Sequence, residues 1–217
     1  NSKSARKEGD LVQNGLTRHA KRTIRIVSDC YNDLIEKEDG LNKYCRFITL
    51  TYRDIIPTDK EAKKHLNAFF QRIRRIKPDA HYLWVAEVQT EREKRTGQRA
   101  IHFHILTPEK LTKQGDSDDL YSIKHKERLW LNRTWNEIVA KDSLKKERIT
   151  LDEYENWMNE LDQNESYNNR LHGFRNGQRK LKPKKPKRST HLLLPNLEMV
   201  YYAGRYMAKY ISKDGQN

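Results

Sequence analysis

The chain has little cysteine, no long apolar run and a shortage of acidic residues relative to basic ones. Cys30 and Cys45, the two cysteines among 217 residues, form no paired spacing. That leaves no disulfide framework and no zinc-finger ligand set, and it accords with a reducing cytosol. No stretch approaches the roughly 18 apolar residues that a membrane span needs, and no apolar signal segment opens the chain. The glycine-rich phosphate loop of ATPases and helicases is absent, as are internal repeats. Hydrophobic residues make up only 35%, yet four Trp, five Phe and eleven Tyr can build a core. Against 30 Asp and Glu stand 44 Lys and Arg, a formal charge of +14. An excess of that size calls for a polyanionic partner, and without a membrane segment nucleic acid is the better match.

The length suits one domain, 1–217, with an N-terminal helix over 16–40 and a basic loop or insertion at about 145–190. Leu16, Ala20, Ile24, Val27 and Leu34 recur at helical spacing. Tyr44 to Tyr52 is aromatic and β-branched, as strands are. Thr58 and Glu61 form a capping box, opening a helix whose apolar stripe is Ala62, Leu66, Phe69, Ile73 and Ile76, stopped by Lys77-Pro78-Asp79. His81–Gln89 and Arg99–Thr107 read as a hairpin, Tyr121–Lys141 as a helix, and Thr150–Leu161 as a short helix capped by Thr150 and Glu153. Residues 163–190 read as polar, then strongly basic, loop; His191–Leu194 as a short strand; Leu197–Lys213 as a final helix. Helices interleaved with strands, two of them a hairpin, predict an α+β fold with an antiparallel sheet.

Two constellations carry chemistry. In a strand, side chains two apart share a face, so His102 and His104 present two imidazoles together while Phe103 turns to the core. Taken alone, His-x-His is more often just two half-exposed histidines. The other arm of the hairpin, however, carries Glu87 and Gln89, again two apart. Two imidazoles with one carboxylate or amide oxygen suit Mn²⁺, Mg²⁺ or Zn²⁺, with Glu87 the stronger ligand for a hard cation and Gln89 the alternative. Downstream, Tyr206 and Tyr210 lie one helical turn apart, beside Lys209 and Lys213. Tyrosines commonly just border a core. A neighbouring cation, though, stabilises the phenolate that must attack phosphorus, and each tyrosine has a lysine three residues on.

Phe47-Ile48-Thr49-Leu50-Thr51, His102-Phe103-His104 and Tyr206-Met207-Ala208-Lys209-Tyr210 together resemble, in order, the motifs of the HUH endonuclease superfamily. The likeness is in particular to rolling-circle replication initiators of plasmids and single-stranded DNA phages, of the two-tyrosine kind. The resemblance spans residues 47 to 213. It implies an RRM-like sheet with the tyrosine helix facing a divalent metal, Mg²⁺ or Mn²⁺, held by His102, His104 and Glu87. It implies metal-dependent nicking of single-stranded DNA at a replication origin through a 5′-phosphotyrosine formed by Tyr206 or Tyr210, followed by rejoining. It also implies a host replication helicase or polymerase as partner and the cytoplasm of a bacterial host as location.

The nearest competitors share the chemistry: a conjugative relaxase or a single-strand transposase. Relaxases resemble a three-histidine site with the tyrosine near the N-terminus, unlike this arrangement. From another class, a non-catalytic RRM-like binder would stack bases on Phe47, Tyr52 or Tyr82, although the RRM signature is absent. Tyr44, Trp84, Trp130 and Trp135 are read as core. The run from Arg179 to Arg188 has Lys or Arg at seven of ten positions: Arg179, Lys180, Lys182, Lys184, Lys185, Lys187 and Arg188. It is the candidate DNA-backbone contact, and it also matches a nuclear import signal.

Overall fold

A computed structural model describes residues 17–37, 44–53, 56–88, 93–94, 97, 101–112, 119–186, 191–203 and 207. Among them are four helices and four strands, in the order α1 (Arg18–Glu36), β1 (Cys45–Leu50), α2 (Asp59–Ile76), β2 (Leu83–Val88), β3 (Ile101–Thr107), α3 (Leu120–Lys145), α4 (Leu151–Arg175) and β4 (Asn196–Val200). The strands form one sheet in the order β2-β3-β1-β4, with every neighbouring pair antiparallel. This is the α+β arrangement expected, and its order is that of a split β-α-β unit, with β3 inserted between β1 and β2.

Strand alternation divides the sheet into two faces. One presents Ile48, Leu50, Phe103 and Ile105, all fully buried beneath α2, α3 and α4. Helix α2 forms because Thr58 and Glu61 make both bonds of the capping box, and it buries Ala62, Leu66, Phe69 and Ile73 as the spacing predicts, with Ile76 left half-buried at the end. Phe70 joins them, stacked on Tyr82 at 3.8 Å between ring centroids. Trp135 is fully buried, its indole N–H donating to the Thr51 carbonyl, 2.8 Å. Arg46 also points into this core, where its Nε and Nη2 donate to Glu127 at 3.1 to 3.2 Å. Glu127 accepts the Leu111 amide as well, so both buried charges are compensated.

The other face is covered by α1 and by residues after β4. Ile24, Tyr31, Ile35, Cys45, Phe47, Val85, Leu106, Val200, Ala203 and Met207 make this second cluster. The buried stripe of α1 is Ile24, Ser28, Tyr31 and Ile35. It is rotated from the predicted one: Leu34 is 52% exposed, because it lies about 100° around the helix from Ile35. The helix also stops at Glu36 rather than near Gly40.

Two expectations near the C-terminal end are corrected. The segment 163–190 is not all loop: α4 continues through Arg175, held against α3 by Arg133 with Asp162 and Glu165, and by His125 with Asn169. Polar side chains tie the second half of α4 down, so apolar periodicity could not reveal it. Residues 196–200 are strand β4 rather than the start of a helix, because Leu197 and Met199 alternate in register with β1. His191–Leu194 forms no strand. There the buried Asn136 side chain replaces a neighbouring strand, accepting the Leu193 amide and donating to the Leu193 carbonyl. No helix among the described residues is long and apolar enough to cross a membrane.

Candidate active site

Pairing register decides which side chains meet. Glu87 is directly opposite His102, and His104 is flanked by Val85 on β2 and Thr49 on β1. All point away from α2, α3 and α4, onto the face covered by α1. His104 Nε2 is 3.0 Å from Glu87 Oε2, its Nδ1 is 3.2 Å from Thr49 Oγ1, and Phe47 stacks against the ring at 5.7 Å. His104 is 6% exposed, so contacts on three sides fix the imidazole. His102 is half-buried, its ring centre 6.4 Å from that of His104.

The donor set is the mixed nitrogen and oxygen kind that divalent cations take. Two ligand atoms each about 2.1 Å from an octahedral cation, at right angles, lie about 3.0 Å apart. Glu87 and His104 have that separation. Among the described residues no three His, Cys, Asp or Glu side chains converge closely enough to enclose a metal ion. Thr49, in the first strand, was not singled out by sequence. Period-two alternation places it on the face of Phe47, but only the β1–β3 register brings it to His104. With Nδ1–H donating to Thr49, the Nε2 lone pair of His104 is directed at the Glu87 side, where a cation would lie.

The segment beyond β4 approaches the same face. Ala203 and Met207, four apart and both helical, are fully buried in the cluster with Phe47 and Val85. The Ala203 amide donates to Asn32 Oδ1 on α1, 2.9 Å. Tyr206, Lys209, Tyr210 and Lys213 lie outside the described residues, as do Gln89, Lys187 and Arg188. In the basic run, Arg179, Lys180, Lys182, Lys184 and Lys185 are all exposed on irregular chain after α4.

A second polar constellation lies on the helix-packed face. Tyr52 Oη is 3.0 Å from His65 Nδ1, and His65 Nε2 is 3.0 Å from Asp142 Oδ2. Burial lowers the His65 pKa below its ordinary value, against the raising effect of Asp142, and burial pushes that of Tyr52 well up. With Tyr52 at 2% exposure and His65 at 3%, no polymer reaches them, and the relay is structural. The same burial removes Tyr52 and Phe47 as base-stacking platforms, and Tyr82 is occupied by Phe70 and Arg74.

Residues 45–215 match the model of a family of replication-associated proteins, the ORF2 type. The chain belongs to that family. The match begins at the first residue of β1 and covers all four strands, both histidines and Met207. No curated protein and no solved structure matches the chain. For a replication-associated protein, an excess of positive charge has a natural partner in DNA.

Proposed function

We propose that this replication-associated protein nicks and rejoins single-stranded DNA at a replication origin, in the manner of a rolling-circle initiator. What carries the reading is the Glu87–His104 pair, at the spacing of adjacent metal ligands, on the face to which Ala203 and Met207 anchor the tyrosine-bearing segment. His102, His104 and Glu87 would hold Mg²⁺ or Mn²⁺, which supplies charge stabilisation to the scissile phosphate. The oxygen of Tyr206, or alternatively Tyr210, attacks phosphorus. The P–O3′ bond breaks, the phenol proton is lost, and the departing 3′ oxygen takes up a proton as a free hydroxyl. The 5′-phosphotyrosine keeps the phosphodiester's energy, so a 3′-hydroxyl can reverse the step without ATP. Lys209 and Lys213 favour the phenolate, and the exposed Arg179, Lys180, Lys182, Lys184 and Lys185, with Lys187 and Arg188, hold the DNA backbone. Cytoplasmic single-stranded DNA and the host's helicase or polymerase are the partners this reading requires.

The test is a denaturing gel of single-stranded origin DNA with and without Mn²⁺, using wild type, Tyr206→Phe, Tyr210→Phe and the double variant. A metal-dependent protein–DNA adduct lost with one substitution identifies the nucleophile, and loss only in the double variant means that either tyrosine attacks. Tight binding without adduct on any origin strand would replace the reading with that of a non-catalytic binder.

A further inference from the structure

Helices α3 and α4 are antiparallel, and charge is segregated along them. The first fifteen residues of α4, 151–165, carry six acids and no Lys or Arg, whereas 166–175 carry Arg170, His172 and Arg175 and no acid. Because the helices run in opposite directions, this basic end meets the start of α3, where Tyr121, Lys124, His125 and Arg128 lie. A cavity of about 210 Å³ opens between them, walled by those four residues together with His172 and Arg175, and closed by Pro195 just before β4. Among the described residues, no carboxylate lines it.

Within it three rings are stacked. Tyr121 lies 4.8 Å from His172 at an interplanar angle of 11°, and His172 lies 4.1 Å from His125 at 20°. Asn169 holds His125 at 2.9 Å, and the outer ring, Tyr121, is 40% exposed. Burial and the neighbouring Arg128 lower the pKa of Lys124, opposed by Glu198. Crowded cations without a lining carboxylate favour an anion, and an exposed ring ending a stack offers its face to a flat group. Phosphates joined to unpaired bases supply both.

We propose that this cavity is a second DNA-binding site, in which Lys124, Arg128 and Arg175 hold phosphates of single-stranded DNA while Tyr121 stacks on a base. It rests on the reading of single-stranded DNA as substrate, and it is separate from the histidine face and from the Arg179–Arg188 run. Pro195 leads into β4, the edge strand opposite β2, so the cavity and Glu87 lie at opposite edges of the sheet. A strand gripped here is a flank of the substrate rather than the nicked bond.

The test is fluorescence anisotropy of a fluorescein-labelled oligothymidylate in metal-free buffer, where binding is read without cleavage. The variant Tyr121→Ala, Arg128→Gln, Arg175→Gln is compared with the conservative Tyr121→Phe, Arg128→Lys, Arg175→Lys. The first should bind at least about tenfold more weakly, with a salt slope smaller by roughly 0.7 for each cation removed. The conservative variant should restore most of both, which a folding defect would not allow. Unchanged affinity and slope in the first variant overturn the proposal, and so does an equal loss on duplex DNA of the same length. Adduct yield at saturating origin DNA separates the two readings: normal adduct with unchanged binding removes this site alone, whereas weakened binding with no adduct even in wild type removes the nicking reaction and leaves the site.

Discussion

On its helix-packed face the sheet presents Ile48, Leu50, Phe103 and Ile105 at 0% exposure, and the charge of Arg46 is matched there by Glu127 and sealed from water. On the opposite face the same strands present Thr49, His102, His104 and Glu87, and a thinner cover of α1 and the segment after β4 closes only part of it. The difference is one residue of phase: Phe103 stabilises the fold and its neighbours on either side are available for chemistry. A strand therefore keeps a reactive pair rigid without giving up the core, since the packing that fixes Phe103 also fixes the backbone under both histidines.

Substitutions on the two faces should separate function from stability. His104→Ala should lower adduct formation by roughly a thousandfold, several kcal/mol of lost transition-state stabilisation, with only a small change in melting temperature. A large drop in melting temperature would make His104 a core residue in the first place. Glu127→Ala should do the reverse: it strands the Arg46 guanidinium in the core and costs about 3 to 5 kcal/mol in chemical denaturation. A loss below about 1 kcal/mol would mean that water reaches Arg46. Between these, Thr49→Val keeps the shape and removes the hydroxyl that faces His104 Nδ1. Mn²⁺ affinity by calorimetry should fall about 10- to 100-fold, with Thr49→Ser restoring it, while unchanged affinity would remove Thr49 from the site.

The smallest effect expected is in pH dependence, and it belongs to the helix-packed face. His65 has a folded pKa lowered by burial, so the stability it contributes is complete above its unfolded value of about 6.5 and is lost as pH falls through the folded one. For Glu61, burial alone would raise the pKa. Hydrogen bonds from Lys146, the Thr58 amide and Arg148 outweigh it and hold the carboxyl well below the usual range. Its contribution is complete above about 4.3 and is lost in stronger acid. Urea unfolding from pH 7 downward should show two successive declines, each with a slope of at most about 1.4 kcal/mol per pH unit for one proton. His65→Gln should remove the first alone, and a first decline that survives this substitution would assign it elsewhere.

Local signals carried much of the architecture in the sequence. The capping boxes at Thr58 and Thr150, the Lys77-Pro78-Asp79 stop and the alternation around Phe103 each depend on neighbours a few residues away, and each is found where the spacing puts it. What was illegible depended on distant partners. Residues 196–200 suit either period, and pairing with β1 decided for strand. The second half of α4 is helical through contacts to Arg133 and His125, which no periodicity within 163–175 reveals. In the site, His102, His104 and Glu87 could be named as candidates from alternation, but the contact between Glu87 and His104, and the presence of Thr49, required two strand registers.

The bond between Asn32 and the Ala203 amide joins residues 171 positions apart. Closing so long a loop is entropically unfavourable until many other contacts exist. The α2–β2–β3 portion can pair over short separations, whereas β4 and the cover over Phe47 must wait for nearly the whole matched segment to be synthesised. The histidines are thus in place before the tyrosine-bearing segment can dock beside them. An unfinished chain on the ribosome has the ligands but not the enclosed face, so the order of folding withholds strand cleavage until the protein is assembled.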